Sequence, residues 1–368
     1  MIRNTRMSNA NRYKLGLFGF NCSSGLAMTK VPERWDASWE NCIAAARLAE
    51  AVGFEFALPV ARWQGYGGET DSEGSAFETL AWATGILGAT EQLVAFGTLH
   101  VPLIHPIFAA KVCVTADHIG QGRFGLNVVS GWNAGEFEMF GLPLREHDER
   151  YAFTEEWVAI LKQLWEGPTP FDFKGRYFDL KGVRGDPKPW GGSRPLLMSA
   201  GSSKAGRAFA VKHVDCLFMT IVVDFDRLGA EVAAMRAAAG RTIGVYASGH
   251  VVCRPSQKEA QDYHHYFVHE MGDWAAFEAT VKGREQQHST PKEQLRPLAA
   301  RLMGGLGTFP IIGSPDHVAG LFKRMHDAGL EGSAIGFVNY LDELPYFAAE
   351  VLPRMARLGL RAPAPVAA

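Results

Sequence analysis

Two hydrophobic rhythms alternate along the chain. Short apolar runs of strand character occupy residues 14–20 (KLGLFGF), 54–58, 93–99 and 124–129 (FGLNVV). After each comes a longer stretch in which apolar residues return at helical spacing, at 39–52, 75–89, 106–119 and 148–165. Gly53 and Gly120 close the first and third of these helices, and Asp148 is a plausible N-cap for the fourth. The rhythm resumes in the second half, with strands expected at 196–200, 216–220, 244–253 and 334–338. Helices are expected there at 203–213, 225–239, 257 to about 287, and 342–358.

Eight strands alternating with eight helical segments predict an α/β fold. Its simplest closed form is a (β/α)8 TIM barrel with insertions; an open, doubly wound sheet is the other arrangement. Two segments break the pattern. Residues 167–190 carry Phe171, Phe173, Tyr177 and Phe178 among glycines and prolines, the pattern of a β-hairpin. Residues 269–310 are polar, then glycine-rich, and read as a long insertion. The expected organisation is a disordered arm at 1–13, one barrel domain at 14–358 with insertions near 167–190 and 269–310, and a frayed tail at 359–368.

Composition narrows the function. The 368 residues are 47% hydrophobic and 21% charged, enough for one large core without disulfides or metals. Thirty-seven basic against thirty-nine acidic side chains leave no cationic excess for nucleic acid. Cys22, Cys42, Cys113, Cys216 and Cys253 are odd in number and contain no C-x-x-C pair. That disfavours a disulfide framework or zinc site and fits a reducing cytoplasm. The sequence has no apolar run of about 20 residues and no secretory h-region in its first twelve. Neither H-E-x-x-H nor G-x-S-x-G occurs, so metal- and serine-hydrolase chemistry lose ground.

A barrel places chemistry where its strands end. After the first strand comes Asn21-Cys22-Ser23-Ser24-Gly25, either a polar turn or a loop over a pocket mouth. After the second, Arg62, Trp63 and Tyr66 lie among glycines that let backbone approach a planar ligand. Asn127 stands inside an apolar strand, as a satisfied core amide or a ligand-facing one. Glu136 follows in the next loop, and Arg150-Tyr151 in the next helix. Gly201-Ser202-Ser203 opens a helix whose N–H groups and dipole suit an anion, or whose serine simply caps it.

Taken in order, these motifs resemble a family. Asn21–Gly25, Ala61-Arg62 with Gly65-Tyr66-Gly67, the run G-R-F-G-L-N-V-V-S-G-W at 122–132, His147-Asp148-Glu149-Arg150-Tyr151 and Gly201-Ser202-Ser203 are similar to the bacterial luciferase-like flavin monooxygenases. The likeness is closest to their dimethylsulfone and pyrimidine monooxygenase branch and covers about residues 14–358. It implies a (β/α)8 barrel and an FMN cofactor that arrives reduced from a separate NAD(P)H-dependent flavin reductase. It also implies a homodimer or homotetramer acting on a small molecule. Carried over residue by residue, Ala61 and Arg62 fall at the isoalloxazine, Asn127 and Glu136 at further flavin contacts, and Arg150, Tyr151 and Ser203 at the ribityl phosphate. Arg62 matches the sulfone branch, where the pyrimidine branch has lysine. Asn127 is the candidate catalytic residue, as a donor beside the reacting ring. Trp63, Tyr66 and Trp132 can wall that ring. The implied activity is oxygenation of a small sulfone, sulfonate or heterocycle. A deazaflavin-dependent oxidoreductase of the same superfamily and a non-catalytic flavin-binding protein are the alternatives.

Overall fold

The computed structural model describes residues 4–201, 203–286 and 298–362. Eight parallel strands form its centre: β1 (Lys14–Phe18), β2 (Phe56–Leu58), β3 (Val94–His100), β4 (Phe124–Val129), β7 (Leu196–Ser199), β8 (Cys216–Met219), β9 (Gly244–Cys253) and β11 (Gly332–Gly336). Each is hydrogen-bonded to the next in that order, β11 returns to β1, and the barrel is thereby closed. The closed arrangement, and not the open sheet, is what the chain adopts.

Most outer helices lie where the periodicity predicts them: α1 (Trp39–Ala51), α2 (Thr79–Ala89), α3 (Pro106–Ile119), α5 (His147–Glu166), α6 (Lys204–His213), α7 (Phe225–Ala239) and α12 (Tyr340–Arg357). A short α4 (Ala134–Met139) follows β4. Asp148 is not the N-cap of α5; it lies in the first turn, and Glu146 holds the cap position. The strands β5 (Phe171–Lys174) and β6 (Asp179–Val183) pair antiparallel as the expected hairpin. Its aromatic side packs on α5, with the rings of Phe153 and Tyr177 5.3 Å apart.

The stretch expected as one helix over 257–287 is instead α8 (Gln257–His265), a π-helical turn at Tyr266–Glu270 and α9 (Trp274–Gln286). This stretch and α10 (Ala299–Gly305) form a second apolar cluster with Ala27, Met28 and Val31 after β1 and Val338 after β11. The insertion therefore sits over the C-terminal end of the barrel. The outer helix between α7 and α12 is α11 (Pro315–Asp327), which the periodicity reading omits. Its signals are local: Ser314 accepts from the His317 N–H, and Pro315 opens the helix. A ninth strand, β10 (Phe309–Gly313), pairs with Gly249–Cys253 and extends the edge of β9 beyond β8. Pro310 and the flanking glycines disguise it as part of the insertion.

Side chains that point into the barrel change character along the strands. Phe56, Phe96, Met198, Phe218 and Tyr246 form a buried apolar plug. A Cβ on Gly16 would lie 2.4 Å from the Phe56 ring, and one on Gly125 2.4 Å from Phe96, so the plug needs glycine at both places. Two residues further along, the same rows present Thr98, Asn127 and Ser248, and two beyond those His100 and His250, all buried. The polar layer caps the plug at the C-terminal mouth.

Residues 4–13 are packed under the barrel, where polar composition predicts a disordered arm. Arg6 donates to the Glu50 and Phe54 carbonyls, and Asn9 and Asn11 donate to Glu55. At the other terminus Leu360 and Arg361 are buried, Arg361 pairing with Glu55 at 2.7 Å. The remainder of the expected tail, 363–368, lies outside the described residues, as do 1–3. All five cysteines are buried and free. Among the described residues, no helix is long and apolar enough to cross a membrane, and no three potential ligands gather for a metal ion.

Candidate functional site

Between the polar layer and the insertion lies a cavity of about 500 Å³. Phe18 and Phe218 contribute its barrel side, Leu302 and Leu306 its insertion side, and Arg62, Glu73, Tyr66 and Trp132 a polar and aromatic wall. Tyr66 and Trp132 also border an outer cavity of about 860 Å³ that reaches Trp63, Asn133 and Thr280. The sizes suit a cofactor with a small substrate.

Arg62 organises the wall. Its Nε donates to Glu73 Oε2 at 2.7 Å, one Nη to Glu136 Oε1 at 3.4 Å, and the other to the Tyr66 hydroxyl at 2.9 Å. The guanidinium also lies over the Tyr66 and Trp132 rings, 4.9 and 5.7 Å from their centroids. Burial opposes its charge, but Tyr66, Glu73 and Glu136 outweigh that and hold it above its ordinary pKa. The resemblance places Arg62 at the isoalloxazine; in the structure its guanidinium is committed to two carboxylates. Ala61 borders a small adjoining cavity of about 50 Å³ with Thr98 and His100.

Glu136 is buried at the start of α4, where Oε1 also accepts the Trp63 N–H at 2.9 Å. Its Oε2 stands 4.0 Å from His100 Nδ1. Burial lowers the His100 pKa to about 4, Glu136 opposing and Arg62 assisting, so the imidazole is neutral at pH 7. Asn127 points inward from β4. Its Nδ2 donates to Thr98 Oγ1 at 3.2 Å, while its Oδ1 is buried without a partner, as is His100 Nδ1. Buried polar atoms of that kind require an explanation.

A second polar group forms at the start of α6. Ser203 Oγ accepts the Gly206 N–H at 3.1 Å, the capping arrangement, and meets His147 Nε2 at 3.1 Å. The Tyr151 ring lies beside His147, and a Cβ on Gly206 would lie 2.5 Å from the Tyr151 hydroxyl. Arg150 donates to the Gly131 carbonyl, and its Nε is buried without a partner. Tyr151 and Ser203 are thus brought together, Arg150 reaches toward the β4 loop, and Ser202 lies outside the described residues. Glu73 and His100 are absent from the residues singled out by sequence, and His147 appears there only as part of a motif, without a role of its own. For His100 the signal was its place two residues beyond Thr98 on an inward row; Glu73 carried none.

The sequence profile of luciferase-like monooxygenases matches residues 14–332. The chain is 30% identical to an FMNH(2)-dependent dimethylsulfone monooxygenase of Pseudomonas fluorescens, across 93% of this chain and 94% of that one. It is 28% identical to the pyrimidine monooxygenase RutA of Cronobacter turicensis, across 93% and 92%. Among solved structures, a riboflavin lyase with modified FMN and riboflavin superposes with a TM-score of 0.83 at 22% identity, across 97% of this chain and 94% of that one.

Proposed function

Since the chain belongs to the luciferase-like monooxygenase family, we propose that it is an FMN-dependent two-component monooxygenase. It takes reduced FMN from a separate NAD(P)H-dependent flavin reductase and uses O2 to oxygenate a small sulfone, sulfonate or heterocycle. The observation that carries this reading is the polar layer at the mouth. Ser248 of this layer lines the 500 Å³ cavity, Thr98 and His100 line the small one beside it, and Asn127 Oδ1 and His100 Nδ1 have no hydrogen-bond partner among the described residues.

The residues present fit FMN. Ala61, Arg62, Asn127 and Glu136 would hold the ring, and Arg150, Tyr151 and Ser203 the phosphate. The phosphate group benefits from the N-terminus of α6 and from a guanidinium whose Nε has no other partner. When bound, reduced FMN supplies the electrons and activates oxygen. The protein's share is positional. Tyr66, Trp132, Leu302 and Leu306 give the cavity aromatic and apolar walls, and neutral His100 with Asn127 offers fixed dipoles to developing charge. Catalysis in this scheme requires neither a nucleophile nor a metal from the chain.

The test is aerobic turnover with FMN, NADH and a flavin reductase against dimethylsulfone, alkanesulfonates and uracil, read by product mass. Incorporation of one O2-derived oxygen into one of these is the expected result. Bound flavin without reductase-dependent oxygen consumption would instead support the non-catalytic alternative. Anaerobic hydride transfer with a deazaflavin would support the other.

A further inference from the structure

Glu73 is the carboxylate of the mouth cluster with a buried oxygen that has no hydrogen-bond partner among the described residues. Its backbone has a positive φ of 60°, and its N–H is held by the Ser23 carbonyl, so the turn after β2 is pinned to the loop after β1. The side chain is fully buried. Oε2 receives Arg62 Nε, whereas Oε1 has no hydrogen-bond partner among the described residues. Glu73 also forms part of the wall of the 500 Å³ cavity.

The charge count around it does not balance. Two carboxylates, Glu73 and Glu136, share one guanidinium, Arg62. Glu136 Oε1 holds two N–H donors, from Trp63 and Arg62, while Glu73 holds only Arg62. The other titratable groups around Glu73 are Cys22, Tyr66, Tyr340 and, across Glu136, His100. Burial pushes the Cys22 thiol and the Tyr340 hydroxyl well above their ordinary values, so neither ionises. His100 is neutral. A fully ionised pair would leave negative charge on a buried, unbonded oxygen, which low-dielectric surroundings oppose strongly.

We propose that Glu73 keeps a proton at neutral pH on Oε1 and presents that O–H to the cavity as a hydrogen-bond donor to an oxygen of the substrate. The class recognised is a neutral molecule carrying an acceptor oxygen, a sulfonyl or ring carbonyl. An anionic sulfonate is disfavoured, because among the described residues Arg62 is the only cationic side chain on the cavity wall, and both carboxylates already engage it. Burial also pushes the Glu73 carboxyl above its usual range, against the pull of Arg62 and with Glu136 adding to the rise. The donor role rests on the function proposed above; the protonation does not.

Infrared difference spectroscopy of the flavin-free protein separates the two. Wild type minus Glu73→Gln at pH 7 should show the carbonyl stretch of a protonated carboxylic acid, shifting in D2O and vanishing as pH is raised. Glu136→Gln should retain it. Absence of such a band in wild type, or its loss in Glu136→Gln but not in Glu73→Gln, overturns the protonation. If Glu73→Gln fails to fold, Glu136→Gln and Glu343→Gln decide the same point, since the band should survive both and its loss in either overturns the assignment. Adding dimethylsulfone or uracil should displace the band to lower frequency, and an alkanesulfonate should not. A band unmoved by both neutral compounds overturns the donor role. A displaced band without turnover would leave the proton and its donor role in place and remove the monooxygenase reading.

Discussion

Asn127 shows how a single side chain passes from an ambiguous to a directed role. As a polar residue in an apolar strand it could be a satisfied core amide. In the structure its Nδ2 is bonded to Thr98 and its Oδ1 is bare. Thr98 Oγ1 also donates to the Pro59 carbonyl at 2.7 Å, so replacing Asn127 does not strand it. Asn127→Leu should therefore fold. Asn127 Nδ2 has a second N–H beyond the one given to Thr98, and a preorganised donor that meets developing charge contributes ~2.7–4 kcal/mol, a loss of roughly a hundred- to a thousandfold in product formation. The expected outcome is continued oxygen consumption, with hydrogen peroxide released in place of product. Normal coupling in the folded variant would return Asn127 to the structural residues. Asn127, Arg62 and Glu136 were legible because each lies in or just after a predicted strand. Glu73 was not: its importance comes from Arg62 and Glu136 converging on it from separate segments.

Element boundaries position the second polar group. The α6 N-terminus follows β7 after four residues, and α5 delivers Arg150 and Tyr151 from its own first turns. Arg150→Ala should cost ~1.5–3 kcal/mol in phosphate binding. FMN affinity should fall by roughly ten- to a hundredfold, while riboflavin, lacking the phosphate, binds both proteins alike. Equilibrium titration of each flavin measures this, and an equal loss for riboflavin would sink the assignment. Two of the elements that pattern alone omitted, α11 and β10, have a common reason. β10 carries Pro310 in a run of five residues, and α11 follows an insertion whose own helices imitate the barrel repeat. Periodicity reports that a helix exists, not which neighbour it packs on.

The whole molecule separates stability from chemistry by placing them at opposite ends of the barrel. At the N-terminal end Glu55 accepts the Leu15 N–H, Asn9, Asn11 and Arg361, tying both chain termini to β2's entry. Arg361→Met would leave the Glu55 carboxylate buried without its cation, costing ~3–5 kcal/mol. The denaturation midpoint should drop accordingly, with FMN affinity unchanged in the folded protein. A parallel loss of flavin affinity would show that the two ends are coupled. What the amino-acid order determined alone was the repeat: which runs are strands, which are helices, and so the barrel and the location of its mouth. Those follow from side-chain periodicity, a local property. Tertiary structure decided which terminal segments are anchored, which helix fills the seventh outer position and which carboxylates share Arg62. Each of these depends on desolvation and pairing between residues distant in sequence, and that is settled only when the barrel closes.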